Sequence, residues 1–457
     1  MNPYPYLLTI SLTGCLLISG CGDSLTNAKE VTIEPSIQPS APEKTTQPTP
    51  TSVTSTPVPE SSLELTATPT PAPSITPSPA VTEAPSAKNS ITPSQPPSTA
   101  KSDSTPSPAP QPKTPKEEAL PFNISRIVGM DGSSGYGIED KKLLYTRNSG
   151  KTWDVEVPDG ISEQDHLIEA DFQNPSLGFA YFMTGKGQIL ITHPIQDGGG
   201  FPTGWETALL PTSEAWEASS DITVHSNANY FDASYALLTS SPALGQMAKT
   251  LYKTTDRGKS WVRVGDITDK ISGYPTGISF RVSQEGWITA TYHGQESFPL
   301  FRTQDGGETW NVQQVDIPDE FKDGYANTLP PVFDMENNNH GLFIAEFVKD
   351  ENKAYVLYES HDSGDSWVPI PYRLKDVQAP PVFHFNGLIE GRAISTDGKT
   401  IYTMDTYNKE DWRPIHSSMD LEGAAQFFLR SDGYGWVLIN GHTMITQDGG
   451  KTWSEPE

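Results

Sequence analysis

Short apolar runs recur along residues 120–457, at 143–145, 250–252, 299–301, 356–358, 400–402 and 443–445. Each is followed by a cluster of Ser, Thr, Asp or Asn and, in most copies, Gly, then by a tryptophan. A run bounded by such residues reads as a strand ending in a turn, with the residues around the tryptophan forming the next strand. Upstream of most runs a glycine precedes an aromatic residue or Leu: Gly135-Tyr136, Gly178-Phe179, Gly286-Trp287, Gly341-Leu342, Gly387-Leu388 and Gly435-Trp436. This second pattern predicts a hairpin joining two earlier strands. It is irregular in the third unit, around residues 230–235. Four strands per unit, in antiparallel order, follow.

The turn after each run is itself a repeat. Thr146-Arg147-Asn148-Ser149-Gly150-Lys151-Thr152-Trp153 shares the pattern Ser/Thr-x-Asp/Asn-x-Gly-x-Ser/Thr-Trp with segments centred on Asp256, Asp305, Asp362 and Asp448, which end at Trp261, Trp310, Trp367 and Trp453. Two stretched copies run Thr192…Asp197…Trp205 and Thr403…Asp405…Trp412. The carboxylate or amide can accept backbone N–H bonds inside the turn, and Gly supplies a positive φ. The tryptophan leaves on the next strand and can bury ~150–250 Å² against a neighbouring sheet. The seven tryptophans are 41 to 57 residues apart, the length of one four-stranded propeller blade. The expectation is an all-β fold: a seven-bladed β-propeller of four-stranded antiparallel blades over 120–457.

These segments resemble the Asp-box, or bacterial neuraminidase, repeat. Combined with the Gly-aromatic hairpins they are similar to the photosystem II assembly-factor-like propellers and to the sortilin-type family. The resemblance covers about 120–457 and implies a fold. In those families the boxes are structural turns remote from active centres, so Asn148, Asp256, Asp305, Asp362 and Asp448 and their tryptophans are expected to have structural roles. Sialidases share the box and open an arginine triad with Arg-Ile-Pro. Here the nearest match is Arg126-Ile127-Val128, with Val in place of Pro; Arg281, Arg392 and Arg430 are the other arginines that could face a channel.

Residues 1–20 read as a secretory signal with a short apolar core, although residues 1–6 lack Lys and Arg. Ile18-Ser19-Gly20-Cys21 resembles a bacterial lipobox, which implies a diacylglyceryl thioether on Cys21 and anchoring by two or more acyl chains. Residues 21–119 follow as a linker. From 22 to 119 it contains 21 of the 41 prolines and no Phe, Trp or Tyr, so it cannot assemble a core and should remain a disordered Pro/Thr/Ser-rich stalk. The expected location is the extracytoplasmic face of a bacterial membrane.

Charge narrows the partners. The chain carries 31 Lys+Arg against 57 Asp+Glu, net −26, and nearly all of the excess lies in residues 120–457. That balance disfavours nucleic acid and suits a basic protein, a cationic surface or a neutral glycan. No zincin, nucleophile-elbow or phosphate-loop motif is present. The nine His show no ligand spacing, and the calcium-loop-like composition of 334–341 reads as a solvated turn. No catalytic residue, metal or cofactor is expected. The sequence points to binding or assembly of extracytoplasmic proteins, with a glycan-binding or sialidase-like hydrolase as the alternative.

Overall fold

The computed structural model describes residues 122–457 except 196–201, 213–220, 230–231, 242–245, 292–297, 335–336, 351, 386–388 and 406–410. The expected signal, Cys21, the stalk, Gly387-Leu388 and Asp197 lie outside the described residues. Among the described residues no helix is long and apolar enough to cross a membrane.

Consecutive strands pair antiparallel in simple meanders. The first sheet takes Arg126–Val128, Gly135–Glu139, Lys142–Thr146 and Asp154–Glu156 in sequence order. The same order recurs from His166–Asn174 to Gly204–Leu209, from Asp221–Asn227 to Val262–Asp266 and from Val382–Phe385 to Arg413–His416. Between Tyr274–Phe280 and Val368–Leu374 lies a nine-stranded sheet. Within it a four-stranded meander ending at Asn311–Val312 is joined in the ladder to the strands that follow by one pair, Thr291↔Asn327. The last sheet has three strands, and Ser454 adds an isolated bridge to Ile445.

Register explains why the two sequence patterns recur together. The hairpin glycine at the start of the second strand lies directly opposite the hydroxyl residue that opens the box: Gly135↔Thr146, Gly286↔Thr303, Gly341↔Ser360 and Gly435↔Thr446. In the irregular third unit Ser234 replaces Gly opposite Thr254, and Tyr235 keeps the buried aromatic place beside it.

The same register corrects both stretched copies. In the second sheet Pro194 lies opposite Trp205, so Pro194 takes the position of the box hydroxyl. Thr192 sits two residues earlier, buried within its strand. In the sixth unit Gly391 pairs with Met404, and Thr403 pairs with Arg413. Continuing that register sets Met404 opposite Trp412, so Thr403 is not the box residue. Gly391 lies opposite Phe383, and a Cβ there would come within 2.6 Å of the Phe383 ring. Where a buried aromatic or Leu follows the glycine elsewhere, Arg392 follows here, only 8% exposed.

Each box tryptophan packs against the meander preceding its own. Trp205 joins Tyr136 and Tyr145 of the first sheet, and Trp261 joins Phe179 and Tyr181 of the second. Trp310 joins Tyr235 and Leu237, and Trp367 joins Trp287 and Phe298. Trp412 and Trp453, half-buried, pack against Leu357 and against Ile401 respectively. Trp153 closes the series by packing with Phe428 and Trp436 of the last sheet. Burial of this apolar surface, rather than any single hydrogen bond, is the main force joining the sheets.

The seam between first and last sheets is also hydrogen-bonded. The Gln426 side chain accepts from Ile127 N at 2.6 Å and donates to Ile127 O at 3.2 Å, in a buried site. Tyr434 Oη donates to Gly132 O at 3.1 Å, and Ile124 N donates to Gly441 O at 3.2 Å. Phe122 packs on the same cluster.

Candidate functional site

The five regular boxes fold alike. In each, the first hydroxyl donates to the Asp or Asn Oδ1 and accepts from the glycine N–H four residues on. At Thr303 these distances are 2.8 Å to Asp305 and 2.9 Å from Gly307. Asp305 Oδ1 then accepts from Thr309 N at 2.9 Å. Thr146 with Asn148, Thr254 with Asp256, Ser360 with Asp362 and Thr446 with Asp448 repeat the pattern. Every side-chain acceptor is directed into its own turn, the arrangement of a structural element.

These bonds favour the ionised carboxylates. Hydrogen bonds from the Thr452 hydroxyl and N–H hold Asp448 at about 2, below its ordinary 3.8. At Asp256, Asp305 and Asp362 desolvation opposes the shift, but hydrogen bonds from the second hydroxyl residue outweigh it and the pKa falls. Below 3.8 the unfolded chain binds more protons at these positions than the folded one. Their contribution to stability is therefore present above the ordinary carboxylate value and is lost as pH falls through the folded values, for Asp448 toward about 2. Burial raises Asp131, Asp171 and Glu390, which act in the opposite sense. Denaturant titrations at several pH values should show a positive slope of stability against pH between 2 and 4, reduced in a D305N/D362N variant; an unchanged slope would refute this role.

Of the arginines suggested for a carboxylate grip, Arg392 and Arg430 border one shallow depression, whereas Arg126 and Arg281 belong to other sheets. Arg126 lies at the start of its strand and ion-pairs with Glu169, also donating to Ala170 O at 3.1 Å. Arg281 and Arg430 stand at the opposite strand ends, in first hairpins of different sheets, and pair with Glu285 and Asp432. Arg392 is buried between them in sequence, 3.4 Å from Glu390, and donates to Gly391 O at 2.9 Å. A shallow depression is lined by Arg392, Arg430, Asp432, Asp448 and Lys451, where positive and negative groups already face one another.

On the first strands of the second and third sheets, Asp171 accepts from Ser226 Oγ at 2.8 Å. Burial raises Asp171, opposed by the Ser226 hydrogen bond and by Arg126. His225 is pushed down to about 4 by burial, so it is neutral at physiological pH. This group is a satisfied polar lining.

One convergence escaped sequence reasoning. His340, Glu359 and His361 bring three donor atoms within 4.8 Å of one another. The signal was available: His340 precedes hairpin glycine Gly341, His361 follows box residue Ser360, and those two residues are opposite in the ladder.

A family model described as BNR/Asp-box repeat matches residues 444–455. Photosystem II assembly protein Ycf48 of Synechococcus sp. (strain JA-3-3Ab) is 27% identical over 158 residues, 34% of this chain and 42% of that protein. The chain thus spans less than half the length of this relative. Among solved structures, an alpha-L-arabinanase of Penicillium chrysogenum aligns over 60% of this chain and 90% of its own at 14% identity, TM-score 0.37. The WD40 domain of SCAP from fission yeast aligns over 72% and 92% at 11% identity, also with TM-score 0.37. The chain carries BNR/Asp-box repeats on a β-propeller that resembles the Ycf48-like proteins.

Proposed function

We propose that this chain is a bacterial envelope lipoprotein, anchored through Cys21, whose seven-bladed propeller docks extracytoplasmic proteins and helps assemble them without catalysing a reaction. The observation that carries the reading is the resemblance to an assembly protein, joined to the neutralisation of Arg126, Arg281, Arg392 and Arg430 by carboxylates beside them. Seven blades are supported by the seven tryptophan-centred interfaces, by the division of the nine-stranded sheet at one residue pair and by the contact of the first sheet with the last. The net charge of −26 favours a basic partner.

Crosslinking on intact cells, followed by identification of the attached proteins, tests docking. The expected result is one or a few extracytoplasmic proteins with basic surfaces, captured less well as salt rises, because exposed charge pairs are screened. Hydrolysis of aryl glycosides by the purified chain, lost on substitution of Asp171 or Glu169, would replace docking with the glycosidase alternative. Cys21→Ser should move the protein from the detergent phase to the aqueous phase, since acyl chains supply the anchor; unchanged partitioning removes the lipid.

A further inference from the structure

We propose that His340, Glu359 and His361 bind one divalent transition-metal ion, with Zn²⁺ well matched to the donor set. The position follows from the ladder. Gly341 pairs with Ser360 and Leu342 with Glu359; one step outward, His340 stands opposite His361. Alternation along a strand places residues two apart on the same face, so His340 and Leu342 share a face with Glu359 and His361. Three donors therefore emerge from one side of one hairpin end, on paired strands.

Side-chain geometry agrees. His340 Nε2 lies 2.8 Å and His361 Nε2 lies 3.3 Å from the same oxygen, Glu359 Oε1. The rings stack with centroids 4.8 Å apart and 13° between planes. The side chain of His340 is 14% exposed and that of Glu359 is 24%, so both are held by packing, whereas His361 is 72% exposed and can adjust.

Two imidazoles and a carboxylate suit zinc and its neighbours, whereas Ca²⁺ and Mg²⁺ select oxygen. Three protein ligands leave a fourth position for water or for a donor from a bound protein. Position is specific to this unit. The residue following the first box hydroxyl is Arg147, Thr255, Gln304 or Gln447 in the other regular boxes. The site stands whether or not docking is the chain's function.

The test uses the full chain in detergent, with any affinity tag removed. Calorimetric titration with ZnCl₂ should give one site, with MgCl₂ and CaCl₂ silent, and Co²⁺ should produce visible d–d absorption of a low-coordinate N/O site. Removing one ligand should weaken binding more than the ~10–100-fold typical of removing a ligand's supporting partner. His361→Ala is the main variant, because its exposed side chain can be removed with the fold intact; His340→Ala and Glu359→Gln should weaken the same site. His416→Ala, elsewhere in the chain, should leave it unchanged. Equal zinc affinity in the wild type and His361→Ala, or no one-to-one binding in the wild type, overturns the proposal.

Discussion

Trp367→Ala should cost the fold about 3–5 kcal/mol, the range for deleting a large buried aromatic side chain. Trp367 is 4% exposed and meets Phe343 and Trp287 with ring centroids 5.0 and 6.2 Å away. Its indole N–H donates to Gln313 Oε1 at 3.3 Å, and the same oxygen accepts from Trp287 Nε1 at 2.7 Å. Removing the indole opens a space between two meanders of the nine-stranded sheet, neither of which can collapse without pulling from its other neighbour. Gly364 reinforces the contact. Its φ is +82°, and a Cβ there would stand 2.5 Å from the Trp287 ring. Gly364→Ala should therefore destabilise through both backbone strain and the clash. Urea denaturation followed by circular dichroism provides the measurement; a loss below about 1 kcal/mol for Trp367→Ala would show that the interface relaxes freely.

Gln426→Leu should cost about 2–5 kcal/mol, because it strands both backbone groups of Ile127 at the seam. Each buried polar group left without a partner costs about 1–3 kcal/mol. Leucine matches the volume of glutamine, so the loss reports hydrogen bonding rather than a cavity. Amide exchange adds a local readout: the Ile127 N–H should exchange faster in the variant. Unchanged exchange together with an unchanged midpoint would show that other contacts close the ring unaided.

The regular boxes were legible because their chemistry is local. Thr303, Asp305, Gly307 and Thr309 satisfy one another within a few residues, so the constraint is written in a few letters. The stretched copies were misaligned because an insertion breaks that locality. Pro194 and Met404 occupy positions defined by a partner across the ladder, and neither residue type has a hydroxyl to announce it. Gly391 was passed over for Gly387 for a related reason: the buried residue after it is an arginine, and its role depends on facing Phe383. The Arg126–Glu169 pair was hidden because it joins different sheets, whereas Arg281, Arg392 and Arg430 pair with carboxylates within four residues. Tryptophan spacing showed that sheets pack on sheets, but not that every indole except that of Trp153, which meets the last sheet, reaches backward along the chain.

That backward reach has a consequence for how the repeat array can change over generations. Each unit brings the wedge for the unit before it and offers a receiving surface to the unit after it. Duplicating or deleting a whole regular unit by recombination leaves each junction with one wedge and one receiving surface. Copy number is then limited by the geometry of closing the circle rather than by the chemistry of its joints. The unit containing Arg392 is the exception: it places a buried charged residue where the others place an aromatic or Leu, so its successor is less readily exchanged.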